Sequence, residues 1–124
     1  MAWRKLLGKK ETSVPLDAAA GDLMVLAQLE KSGADLTQPR DLVHYLYVPS
    51  QDAAEQAAAE LRNLSYTAEA KLAAGVQPDD PNPWLVLANV DAVVDQERVR
   101  WERARFDELA VKYGGEYDGW EAAV

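Results

Sequence analysis

Cysteine is absent from the 124 residues, and histidine and phenylalanine occur once each. Without cysteine the chain has no disulfide, thiolate zinc site, iron–sulfur cluster or cysteine nucleophile, a composition that suits a reducing cytoplasm. A single His44 leaves few histidine-based mechanisms. No stretch of about 18 apolar residues occurs, so no transmembrane segment is expected. Basic residues are also short: 13 Lys and Arg stand against 21 Asp and Glu, a net charge of −8. Four of the 13 (Arg4, Lys5, Lys9 and Lys10) fall in the first ten residues, which hold no acid, so residues 11 to 124 carry −12. A body that acidic repels phosphate backbones and attracts basic surfaces. Direct nucleic-acid binding is therefore not expected, and a basic protein partner is.

With 48% hydrophobic and 27% charged residues, the composition is that of one soluble globular domain. The opening decapeptide is positive, but its apolar stretch is far shorter than a signal-peptide core and no cleavage site follows. Residues 1 to 15 read as a basic, flexible arm with Trp3, Leu6 and Leu7 beside the cations, and residues 16 to 124 as a single α+β domain in the cytoplasm.

Pro15 ends the arm and Asp17 is placed to cap a helix whose apolar face is Leu23, Leu26, Ala27 and Leu29. Gly33 stops it. Residues 42 to 48 are β-branched, aromatic and short, which predicts a central strand. Ser50 is a candidate cap for an alanine-dense helix through Leu64, with Ala54, Ala57, Ala58, Leu61 and Leu64 inward. From Tyr66 the period changes to two, placing Tyr66, Ala68, Ala70 and Leu72 on one side of a half-exposed strand. A turn-rich connection at residues 75 to 83 leads into a strand over residues 84 to 90 that is apolar on both faces. Asp95 caps a third helix carrying Val99, Phe106, Leu109, Ala110 and Tyr113, which ends at Gly114 and Gly115. A short strand over residues 116 to 121 closes the order. The fold expected is a ferredoxin-like sandwich: β-α-β-β-α-β with a four-stranded antiparallel sheet, preceded by an extra N-terminal helix, its first and last strands adjacent.

Catalytic chemistry finds little support. His44 and Asp118 would meet if the strand register allowed, a base-and-orienter pair in principle. Ser13, Ser32, Ser50 and Ser65, however, lie in arms, caps or turns without a nucleophile motif, so structural pairing of His44 is the stronger reading. Asp79 and Asp80 fit a solvated turn better than a calcium loop, and Gly114, Gly115 and Gly119 follow a helix instead of opening a phosphate loop. No catalytic, cofactor or metal site is expected. Arg98, Arg100, Arg103 and Arg105 surround Trp101, but Glu97, Glu102, Asp107 and Glu108 dilute their field. Trp101 lies off the core face of its helix and is a candidate contact residue, with packing beneath arginine stems as the alternative. In the last strand, alternation sends Tyr117 to one side and Glu116, Asp118 and Trp120 to the other, and Gly119 signals a bulge.

Two stretches carry a family resemblance. One contains Leu29, Gly33, Ala34, Asp35, Leu36, Pro39, Arg40, His44, Tyr45 and Tyr47; the other is the ending Glu116, Tyr117, Asp118, Gly119, Trp120. On these the chain resembles the regulator of ribonuclease activity B (RraB-like) family of ribonuclease E inhibitors, over roughly residues 17 to 121. The resemblance implies a ferredoxin-like protein that is not an enzyme, binds ribonuclease E and restrains its cleavage of RNA. Some members carry an acidic tail, whereas this chain closes four residues after Trp120, so docking is expected to use the folded body. His44, Tyr45, Tyr47, Trp101, Glu116, Tyr117, Asp118 and Trp120 stand as partner-binding or fold-determining candidates. The alternative is a general protein-interaction module or a homodimer formed through a sheet face or edge.

Overall fold

Helix and strand alternate as capping and periodicity dictate. The computed structural model describes residues 18 to 123, which form α1 (Ala18–Lys31), β1 (Arg40–Val48), α2 (Gln51–Asn63), β2 (Thr67–Leu72), β3 (Trp84–Ala92), α3 (Gln96–Tyr113) and β4 (Glu116–Ala122). The arm expected at residues 1 to 15 and the cap expected at Asp17 lie outside these residues. The strands make one antiparallel sheet in the order β2-β3-β1-β4, so β1 is central and lies beside β4. This is the α+β arrangement expected, an N-terminal helix followed by β-α-β-β-α-β.

The helices begin where side chains satisfy their first free N–H groups. Ser50 accepts from the Ala53 N–H at 3.1 Å, and Asp95 accepts from Arg98 N–H at 2.7 Å. On α2, Ala54, Ala57, Ala58 and Leu61 are fully buried at three- and four-residue spacing. Their small side chains let the helix lie close to the sheet. Leu64, expected on the same face, is 41% exposed because it is already the C-cap, where the helical stripe has ended. On α3, Val99, Phe106, Leu109 and Ala110 are buried as expected, while Tyr113 is half-buried. Helix α1 packs on α3, so its buried stripe is narrow. Leu26 and Leu29 are covered, but Leu23 and Ala27 reach solvent, contrary to the predicted face, and Asp22 takes the inward position.

The core lies on one face of the sheet. Leu42, His44, Leu46 and Val48 of β1 point toward the helices, and Tyr45 and Tyr47 point to the other side, where Tyr47 packs on Ala73 and Leu85. Leu72, grouped by period with Tyr66 and Ala68, is exposed while those two are buried. It sits at the end of β2, which among the described residues is an edge strand flanked by β3 alone.

Strand β4 closes the sheet at two glycines, for different reasons. A Cβ on Gly115 would stand 2.2 Å from the Tyr47 carbonyl oxygen, so no side chain fits where α3 hands over to β4. Farther on, His44 pairs with Trp120 while Leu46 pairs with Tyr117, so two steps along β1 match three along β4. The extra residue is accommodated by a bulge at Gly119, whose φ of +95° favours glycine. This bears out the bulge but overturns the predicted facing: Tyr117 and Trp120 both turn toward the helices, because the bulge breaks the alternation between them.

Between α2 and β2 the chain reverses through Ser65, a non-glycine residue at φ +76°. Its N–H donates to the Arg62 carbonyl and that of Tyr66 to the Leu61 carbonyl, both at 3.0 Å, which closes the helix end. Ser65→Gly should relieve the left-handed strain and raise unfolding stability by about 0.5 to 1 kcal/mol. Gly115→Ala should lower it by more than about 2 kcal/mol, since the clash is with backbone. Urea unfolding curves of the two variants test both signs.

Candidate functional site

Polar side chains converge beneath α3, in the layer where an apolar core would ordinarily continue. Glu102 occupies the middle of the α3 stripe, three residues after Val99 and four before Phe106, and is only 2% exposed. Its Oε2 accepts the Tyr66 hydroxyl at 2.5 Å and an Arg98 Nη2 proton at 3.3 Å, and lies 3.1 Å from His44 Nε2, a close contact without hydrogen-bond alignment. The other His44 nitrogen, Nδ1, shares a 2.7 Å hydrogen bond with the Tyr117 hydroxyl. The imidazole stacks on Phe106 with ring centroids 4.3 Å apart, and Phe106 stacks in turn on Tyr117. One connected group thus ties β1, α3, β4 and the start of β2 together.

A second buried carboxylate joins this group to α1. Asp22 accepts two hydrogen bonds from Arg103, at 2.9 and 3.0 Å, and one from the Trp120 indole N–H at 2.9 Å. Above Tyr117 the Arg103 guanidinium lies 4.6 Å from the ring centroid. The bidentate geometry gives direction as well as attraction, and the indole uses a remaining lone pair.

Each ionisation follows from these contacts. Burial alone would raise the Glu102 carboxyl, but His44, Tyr66 and Arg98 together hold it below its ordinary value of 4.5. Burial is the main cause that raises the Tyr66 phenol, with Glu102 adding to it, and burial likewise pushes Tyr117 far up. Both phenols therefore stay protonated across the physiological range. The assembly resembles acid–base machinery in composition, yet His44 is fully buried and Glu102 nearly so. A general base must reach its substrate, and a group sealed between helix and sheet does not. What the arrangement does is clamp four segments in one register.

The residues singled out from sequence divide accordingly. His44, Tyr117 and Trp120 enter the clamp, and Tyr47 is buried on the opposite side of the sheet. His44 engages Tyr117 and Glu102 instead of Asp118, which is itself buried in β4. Tyr45 is half-buried and donates to Glu121 Oε1 at 2.7 Å, and Glu116 is half-buried opposite Tyr47. Trp101 leaves the core face as expected: it is 40% exposed, with the Arg105 guanidinium 5.6 Å from its ring centroid. Asp80 takes the turn role, accepting from the Asn82 N–H at 2.9 Å. Sequence reasoning missed Glu102, Asp22 and Arg103, having read Glu102 and Arg103 as parts of a solvated charge field. The signal for Glu102 was available: a charged residue flanked at −3 and +4 by Val99 and Phe106 lies within the apolar stripe.

Because the folded-state Glu102 value is depressed, the stability it contributes is present above about pH 4.5 and is lost as pH falls through the lower folded value. Glu102→Gln should cost about 3 kcal/mol at pH 7 by leaving His44 and Arg98 facing a neutral group. It should also flatten the acid limb of stability against pH, read from urea unfolding between pH 3 and 7.

Among the described residues no helix is long and apolar enough to cross a membrane, and no group of three or more His, Cys, Asp or Glu side chains gathers into a metal site. No curated protein matches the chain. The family model described as regulator of ribonuclease activity B matches residues 21–122. That match runs from the turn of α1 holding Asp22 to the end of β4, taking in every strand and both clamp carboxylates, and the chain belongs to the regulator of ribonuclease activity B family.

Proposed function

We propose that this protein restrains RNA cleavage in the cytoplasm by docking its acidic body on basic segments of ribonuclease E. Family membership makes the chain a non-enzymatic regulator that binds ribonuclease E. The observation supporting this mode of docking is charge: residues 11 to 124 carry −12, and an enzyme that grips RNA needs basic surface. Competition for that surface would lower cleavage without any chemistry on the regulator's part. The burial of His44, Tyr47 and Trp120, and the bonding of half-buried Tyr117 to His44 within the clamp, support fold-determining roles for them, which leaves Tyr45 and Trp101 as the aromatic candidates for contact.

Exposed charge pairs are screened by salt, and steering by them weakens as the Debye length falls to about 8 Å near 0.15 M. Cleavage of a defined RNA by ribonuclease E, measured with and without this protein over a salt series, should show inhibition at low salt that declines as salt rises. Direct binding should decline in parallel. Folded protein that neither binds nor inhibits at low salt would overturn the reading.

A further inference from the structure

The clamp, α2 and α3 all lie on one side of the sheet, and the other side has its own order. Alternation along β1 and its register with β3 place Val43, Tyr45 and Leu87 side by side on that second face, all three half-buried. Tyr45 lies directly opposite Leu87, and Leu87 opposite Glu69 of β2. At one end of the two central strands Asp41 stands opposite Asp91, and both are exposed. Among the described residues no helix covers this face. It offers an aromatic and aliphatic floor with carboxylates at its margins.

Two facts point to the occupant. Directly opposed like charges destabilise an antiparallel pair, and the amide of Asn89 meets Asp41 only at a long 3.4 Å. The free protein therefore presents two carboxylates at opposed positions that an incoming cation would bridge. Val43 stands two residues from Asp41, and Tyr45 and Leu87 stand four residues along their strands from Asp41 and Asp91, about 13 Å away, a spacing that an extended segment carrying cations and apolar residues on one side would match. A second copy of this chain would bring the same acids against themselves, which disfavours an isologous pair through this face.

We infer that the open face of the sheet is a docking surface for a basic polypeptide segment with apolar side chains between its cations, Asp41, Asp91 and Glu69 pairing its charges and Tyr45 and Leu87 seating its apolar residues. This rests on the reading that the protein acts by binding ribonuclease E, and it names the surface used.

The test compares two double reversals in the full chain that alter net charge equally. Asp41→Lys with Asp91→Lys changes the open face; Glu55→Lys with Asp79→Lys changes exposed positions on α2 and in the connection between β2 and β3. Circular dichroism and urea unfolding establish that both variants are folded. At low salt the open-face variant should lose about ten-fold or more in affinity for ribonuclease E, and the control less than about three-fold. Equal losses would overturn the proposal, because the attraction would then belong to overall charge. If the unaltered protein does not bind ribonuclease E, the regulatory reading fails by itself. The surface is then judged on a synthetic peptide in which every second residue is lysine or leucine, so that both lie on one side of the extended chain, with the same ten-fold difference expected. A peptide bound equally by both variants overturns it. So does a homodimer that the open-face reversal dissolves, or carbodiimide coupling of Asp41 only to the chain's own Lys5, Lys9 or Lys10.

Discussion

A carboxylate removed from water must be met by donors on every side, and Glu102 imposes that requirement on most of the molecule. Its Oε2 needs Tyr66 from the start of β2, Arg98 one turn back on α3, and His44 from the central strand. His44 in turn holds Tyr117 of β4, and the shelf formed by His44, Phe106 and Tyr117 is stacked. An apolar residue at 102 would have asked only for volume. The carboxylate asks for three particular partners in particular places, and this converts loose helix-on-sheet packing into a single registered arrangement. Buried ion pairs are seldom a large net source of stability, so their contribution here is to specificity of structure.

Asp22 extends the same logic to the element that the β-α-β-β-α-β frame does not itself require. Helix α1 has a narrow apolar stripe and would be weakly held by Leu26 and Leu29 alone. The Arg103 fork and the Trp120 indole fix it in position. Arg103 also lies over Tyr117, so the two carboxylate centres share a wall and the docking of α1 is linked to the closing of β4.

Much of the architecture was legible in the sequence because local signals agree with it. Ser50 and Asp95 cap as read, the alanine positions on α2 face inward, and the glycines after Tyr113 end α3. What could not be read by local rules depends on long-range contacts. Leu64 and Leu72 were assigned by period alone, and each sits where its element ends or loses its neighbours. The facing of Trp120 required knowing that a whole residue is absorbed at Gly119, which alternation cannot count. Glu102 and Arg103 looked like members of a mixed surface field because charge usually marks solvent. Their true position was written in helical spacing, and charge outweighed spacing in the reading. The family was legible chiefly through the ending from Glu116 to Trp120, three of whose residues turn out to be structural: Tyr117 and Trp120 in the clamp and Gly119 in the bulge.

The bulge in β4 has one more consequence, for the behaviour of the sheet at its margins. Among the described residues the open sheet leaves strands β2 and β4 with one unpaired side each, and such margins recruit further strands unless something spoils their regularity. On β2 the exposed Glu69 and Lys71 place charge along the margin. On β4 the extra residue bends the strand and interrupts its ladder, so an incoming strand in regular register meets a mismatch at Gly119. The irregularity that lets Tyr117 and Trp120 reach inward together therefore also limits growth of the sheet from one molecule to the next, and the protein gains resistance to strand-mediated aggregation.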